Sequence, residues 1–225
     1  MDAQKYCEGV EQKYRKHQKD IPNVPTIENN SKLVSLLDSN FNLVFEPSIK
    51  KDYKYMIREA VAEKIGRISK ILDKDDKRLI IRSVWRSFDH QKILWKARVT
   101  SLRKEFPDKE SDEITEFVSY FIAPPTKSLH ATGGAVDALI YDLKNNRVMD
   151  FGTNIGFNIE LNDKCYPYHP HIPRQAKENR KLLIGLFEEE DFVVDLKEYW
   201  HFDYGSVAWA LEKGKDYAIY GVIKE

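Results

Sequence analysis

Apolar positions recur along the chain with two periods, and the switches between them divide it into elements. Met56, Ala60, Ile65, Ile68 and Leu72 fall at near-helical spacing, predicting an amphipathic helix over 49–73 with Ser48 as its cap and a polar face rich in Lys, Arg and Glu. Residues 79–85, Leu-Ile-Ile-Arg-Ser-Val-Trp, predict a strand. Helices follow over 88–105, after Ser87, and from Ser111, where Asp112 and Glu113 suit the positive end of the helix dipole. Pro124-Pro125 stops the second of them. Residues 135–142 predict a strand, and Asn145-Asn146 a hairpin turn into 147–151. A longer loop with Gly152, Gly156, Pro167 and Pro170 leads to a helix over 174–189 opened by Pro173, with Leu182, Leu183 and Leu186 toward the core. Strands near 192–195 and 200–204 and a short helix near 206–212 complete the chain. Helices and antiparallel strands come mixed, without regular βαβ alternation. That predicts an α+β fold, a small antiparallel sheet flanked by helices.

Residues 1–20 are charged and weakly periodic, so they read as a frayed helix or an arm, and Pro22, Pro25 and Asn29-Asn30-Ser31 break the chain after them. The pattern therefore divides into an N-terminal extension over 1–44, of uncertain structure, and a main domain over 45–225. Hydrophobic residues make up 42% of the 225, enough for one buried core. Lys plus Arg and Asp plus Glu are 36 each, so the basic excess of a nucleic-acid binder is missing, as is a polybasic membrane anchor. This balance points to a small, specific ligand. Two cysteines, Cys7 and Cys165, fit a reducing compartment better than a disulfide framework. The opening residues carry no apolar leader, and no run is long enough to span a bilayer, so the expected location is the cytoplasm.

The unusual residues sit in two short segments, Ser128-Leu129-His130-Ala131-Thr132-Gly133-Gly134-Ala135-Val136-Asp137 and Glu198-Tyr199-Trp200-His201. Asp137 lies inside an apolar strand, where a carboxylate is costly unless paired or bound to a cation. A turn at Gly133-Gly134 can bring His130 to it, and a His nitrogen with an Asp oxygen begins a zinc site. His201 completes three ligands with an open fourth position. Glu198 shares that pocket only if it sits on the bend before the strand of His201, since positions 198 and 201 of a regular strand face opposite sides. There it serves as general base to a metal-activated water and then as general acid to the leaving amine. Arg86, closing the strand inside Trp85-Arg86-Ser87, is the candidate cation for the developing oxyanion.

At these residues the chain resembles the zinc D,D-peptidases, whose signature S-x-H-x-x-G-x-A-x-D followed by E-x-W-H is filled by Ser128, His130, Gly133, Ala135, Asp137, Glu198, Trp200 and His201. Within them it looks like the D-alanyl-D-alanine dipeptidases of the VanX type, over roughly residues 45–225. The likeness is supported by Asn179-Arg180-Lys181-Leu182-Leu183, by Phe151-Gly152-Thr153 and by the stretch from Trp209 to Gly221. The resemblance implies one zinc ion on His130, Asp137 and His201, Glu198 as catalytic base and Arg86 stabilising the tetrahedral intermediate. It also implies Ser128 holding substrate and the fold shared with the hedgehog signalling domain. Two positions depart: Trp85-Arg86-Ser87 stands for the usual Tyr-Arg-Pro, and Asn158, with Glu160 two residues on, stands near the Asp that grips the free amino group in the dipeptidases.

Three functions compete. The first is cleavage of free D-Ala-D-Ala. The second is a D,D-carboxypeptidase or endopeptidase acting on peptidoglycan stem peptides, toward which Asn158 leans. The third is a zinc-holding binding module without turnover, against which the presence of both Glu198 and Arg86 counts. His169 and His171 read as a Pro-flanked surface loop, His90 as the first turn of a helix and His17 as part of a polar arm. Asp142 and Asp203 flank the motif strands, either orienting a ligand His through its second nitrogen or standing solvated at strand ends.

Overall fold

The computed structural model describes residues 2–119, 122–153 and 163–223. Gly156, Asn158 and Glu160 lie outside the described residues. The helices are α1 (Ala3–Asp20), α2 (Glu59–Asp73), α3 (Phe88–Glu105), α4 (Ser111–Ser119), α5 (Arg174–Glu189) and α6 (Val207–Glu212). The strands are β1 (Leu33–Ser35), β2 (Leu43–Phe45), β3 (Met56–Arg58), β4 (Lys77–Ser83), β5 (Ala135–Asp142), β6 (Arg147–Val148), β7 (Val193–Val194) and β8 (His201–Asp203). The order across the main sheet is β2-β4-β5-β8-β7, with β6 paired to β5 alone, while β1 and β3 form a separate antiparallel pair. The α+β arrangement follows the sequence pattern with one difference. β2 runs parallel to β4, so the sheet is not wholly antiparallel.

Core and elements follow from local chemistry. On α2, Val61, Ala62, Ile65, Ile68 and Leu72 are buried at helical spacing, and they join Leu79, Ile81 and Ile140 of the sheet in one core. On the same face of the sheet α5 contributes Leu183, Ile184 and Phe187, whose ring stacks on Phe202 at 3.8 Å between centroids. Ser87 caps α3, its Oγ accepting from the His90 backbone N–H at 3.2 Å.

The helix expected over 49–73 starts ten residues late, and Ser48 does not cap it. Asp52 and Tyr55 take left-handed φ values of 60° and 47°, which no helix continues through. Residues 56–58 are a strand because β1 offers a pairing partner, with Val34 opposite Ile57. Residues 3–20, frayed helix or arm on sequence grounds, form a continuous helix capped by Asp2. No helix among the described residues is long and apolar enough to cross a membrane.

The sheet brings the two motif segments together. Asp137 on β5 lies opposite His201 on β8 and opposite Ser83 on β4, where an irregularity after Ile81 shifts the register. Gly133 adopts φ 74° at the end of the turn Leu129–Thr132 that carries His130. A Cβ on Gly134 would meet the Tyr204 carbonyl oxygen at 2.2 Å, so only glycine lets this segment pair with β8.

Candidate metal centre

His130, Asp137 and His201 converge, each offering a ligand atom within 4.8 Å of the others. They are 3%, 7% and 8% exposed, so whatever satisfies them must come from inside the protein or from a bound ion. His130 Nδ1 lies 2.7 Å from the Val84 carbonyl oxygen, which only accepts. The ring proton therefore sits on Nδ1, and Nε2 presents a lone pair. That lone pair faces Asp137 Oδ2 at 3.2 Å, yet Nε2 has no hydrogen-bond partner among the described residues. Two acceptors this close repel unless a cation stands between them. Burial and the nearby Arg86 guanidinium push His130 down to about 4, in keeping with a neutral ring.

His201 is held differently. Its Nδ1 lies 2.9 Å from Asp137 Oδ1 and its Nε2 3.1 Å from Asp203 Oδ2. Burial alone would lower its pKa, but the two carboxylates outweigh that and hold it well above the usual histidine value. Burial likewise works against Asp137, whose neighbours His130, His201 and Arg86 hold it well below the usual carboxylate range. A metal ion can replace the Nδ1 proton while Nε2–H still donates to Asp203. Two imidazole nitrogens and a carboxylate form a donor set suited to catalytic zinc. The residues present fit that ion, and the orphaned Nε2 of His130 is the observation that says so.

Around this centre lies a cleft of about 580 Å³, lined by Arg86, Ser128, His130, Glu198 and His201 among others. A family profile described as D-ala-D-ala dipeptidase, peptidase M15, matches residues 41–217. The chain belongs to this family. A curated relative, the D-alanyl-D-alanine dipeptidase of Escherichia coli (strain K12), is 30% identical over 125 residues, 56% of this chain and 54% of that protein. The chain thus spans about half the length of the curated relative it matches. Among solved structures, VanYB in complex with D-alanine-D-alanine is similar at 15% identity with a TM-score of 0.48, covering 77% of this chain and 92% of that one. The D,D-dipeptidase VanXYg in complex with a D-Ala-D-Ala phosphinate analogue gives 20% identity and a TM-score of 0.37, covering 88% and 70%.

In this M15 chain the remaining motif residues sit as follows. Arg86 donates from Nη2 to Asp137 Oδ2 at 2.7 Å, from Nε to Ser83 Oγ at 2.8 Å and from Nη1 to Gln91 Oε1 at 3.0 Å. Its backbone N–H also donates to the His130 carbonyl, fixing the two segments together. Ser128 opens the turn before His130, is buried, and makes no capping bond with its side chain. Glu198 is half-buried on the bend before β8, and Asp195 shapes that bend. Its Oδ1 accepts from the backbone N–H of Lys197 at 2.7 Å and of Glu198 at 3.0 Å. Burial, with the Asp195 carboxylate beside it, raises Glu198 well above an ordinary glutamate.

Asp195 escaped sequence reasoning; its signal was an Asp two and three residues before the amides it collects, an Asx turn. Of the two flanking aspartates only Asp203 touches a triad histidine. Asp142 instead accepts from Asn145 at its hairpin. His169 is buried rather than in a surface loop, with Tyr6 of α1 edge-on at 6.0 Å, while His171 is exposed. His90 lies in the first turn of α3 and is buried, with Ser48 Oγ 3.3 Å from its Nε2. Asp203→Ala should weaken zinc binding about 10–100-fold, because the histidine loses the acceptor that orients it. Titration against a competing chelator checks this.

Proposed function

We propose that the chain is a zinc-dependent D-alanyl-D-alanine dipeptidase. The convergence of His130 Nε2, Asp137 and His201 Nδ1 in one cleft with Glu198 and Arg86 carries the reading. The family profile and the Escherichia coli relative, both named for D-Ala-D-Ala dipeptidase, supply the substrate class. His130, Asp137 and His201 would hold one zinc ion, which when bound supplies Lewis acidity to a water and to the scissile carbonyl.

Every other step belongs to the chain's own groups. Glu198, on the bend beside the centre, takes a proton from the attacking water and returns one to the leaving amine. Arg86, anchored by Ser83 and Gln91, places a positive charge beside the carboxylate of Asp137 and toward the cleft, where the oxyanion develops. Ser128 holds substrate through a hydroxyl not spent on capping its own turn.

Three substrates test the reading on the zinc-loaded protein: free D-Ala-D-Ala, an N-acylated tripeptide ending in D-Ala-D-Ala, and purified peptidoglycan. Cleavage of the free dipeptide alone is the expected result. Preference for the blocked or polymeric substrate would make the chain a D,D-carboxypeptidase or endopeptidase. No cleavage with zinc bound would make it a binding module.

Zinc affinity should depend on pH with a definite sign. Metal-free His201 keeps a proton through neutral pH because its pKa is raised, and the metal displaces the proton on Nδ1. Affinity should therefore fall about tenfold per unit of acidification across neutral pH for one displaced proton. Chelator competition from acid to alkaline pH measures the slope; a flat profile would contradict the proton exchange.

A further inference from the structure

The family profile begins at residue 41, yet one side of the cleft is built from residues before it. Tyr14 and Gln18 of α1 line the cleft, and Ile21, Pro22 and Thr26 continue that wall, all sharing it with Arg86, Glu198 and His201. We infer that this N-terminal wall limits the length of peptide the cleft accepts, favouring a dipeptide over a chain that continues past it; the inference rests on the peptidase reading above.

A wall selects only if it is fixed, and α1 is tied down at three levels. Near its start, the Tyr168 backbone N–H donates to Tyr6 OH at 3.1 Å. At its middle, Glu11 pairs with Lys197 Nζ at 2.9 Å and accepts from Tyr166 OH, while the same ammonium sits 4.1 Å from the centre of the Tyr14 ring. Toward its end, Lys13 and His17 both reach Glu212 of α6, at 2.8 and 2.6 Å. The middle tie matters most. Lys197 is 2% exposed and immediately precedes Glu198, so the helix is locked to the segment that carries the proposed base. The connection after α1 is held as well, for Thr26 bridges Ala218, and Ile27 N–H donates to the Ala218 carbonyl at 2.8 Å.

Among these ties the Lys197 ammonium is the buried charge, and taking it out of water is costly unless Glu11 and the Tyr14 ring of α1 stay against it. Here the ties place two side chains, an aromatic ring and an amide, in the lining of the cleft. Ala123, Pro124, Thr126, Lys127 and Ser128 line the same cleft. A peptide lying in the cleft meets α1 wherever it outgrows the space.

The test uses the full chain loaded with zinc and compares kcat/KM for the N-acylated tripeptide with that for free D-Ala-D-Ala. Tyr14→Ala and Gln18→Ala, singly and together, should raise the ratio of blocked to free substrate by about tenfold, the scale of a pocket that gains or loses a small group. Gln18→Trp, at an exposed position with little risk to folding, should lower it. A binding readout accompanies turnover: in a Glu198→Ala background, calorimetry should show the blocked peptide tightening in the Tyr14→Ala/Gln18→Ala protein. A ratio unchanged, or a fall showing that the wall grips longer substrates, would overturn the inference while leaving the peptidase reading intact. Zinc-loaded wild type that cleaves no D,D-peptide would overturn both.

Discussion

Glu198→Ala should lower kcat on D-Ala-D-Ala by about 10²–10⁴-fold, the usual worth of a positioned general acid–base, while bound zinc stays near one per chain. The split follows from position. Glu198 lies in the cleft on the bend that Asp195 collects, outside the group of atoms able to hold the metal. Removing its carboxylate takes away the proposed proton carrier and leaves His130, Asp137 and His201 in place. Metal analysis alongside steady-state kinetics checks both halves. A variant that kept its rate would take Glu198 out of the mechanism, and one that lost its zinc would make it a ligand.

Asp137→Ala should abolish zinc binding and also destabilise the metal-free protein by about 3–5 kcal/mol. Asp137 is where the charges of the site meet. It faces His201 Nδ1 at 2.9 Å and Arg86 Nη2 at 2.7 Å, so its loss takes the carboxylate from a mostly buried guanidinium and leaves the buried His201 imidazolium with Asp203 alone. His130→Ala is the informative comparison. It should also abolish zinc binding, but with a smaller stability cost, because a neutral ring bonded to Val84 leaves no charge unpaired. Thermal unfolding of both variants in chelator, beside zinc titrations, separates the two effects. Equal destabilisation would mean that His130 is charged in the metal-free protein.

How much of this was legible beforehand depends on the range of the interactions involved. Ser87 and the apolar runs of β4 and β5 declare themselves locally, because caps and alternation act within a few residues, while Ser111, the expected cap of α4, is its first helical residue. The motif residues were legible through chemistry, since an Asp in an apolar strand needs a partner and a Gly-Gly turn needs a reason. The strand β3 was hidden because Met56-Ile57-Arg58 continues the helical apolar pattern. Only the left-handed Tyr55 and the pairing with β1 decide it, and both depend on contacts distant in sequence. The parallel β2–β4 pair was hidden for the same reason. The docking of α1 was least legible of all. It buries no residue fully and is held by ion pairs and tyrosine hydroxyls, so its sequence looks like a solvated arm. Asp203 was one of two equal candidates until the register of β5 and β8 set it beside His201.

The central claim is that His130, Asp137 and His201 hold one zinc ion. A crystal structure of the zinc-loaded protein, with anomalous data collected at the zinc edge, measures this directly. The account predicts a single strong peak with imidazole nitrogens of His130 and His201 at about 2.0–2.1 Å and an Asp137 oxygen at about 2.0–2.2 Å. A peak bound by other residues, or fully loaded protein with no zinc between these three side chains, would contradict it.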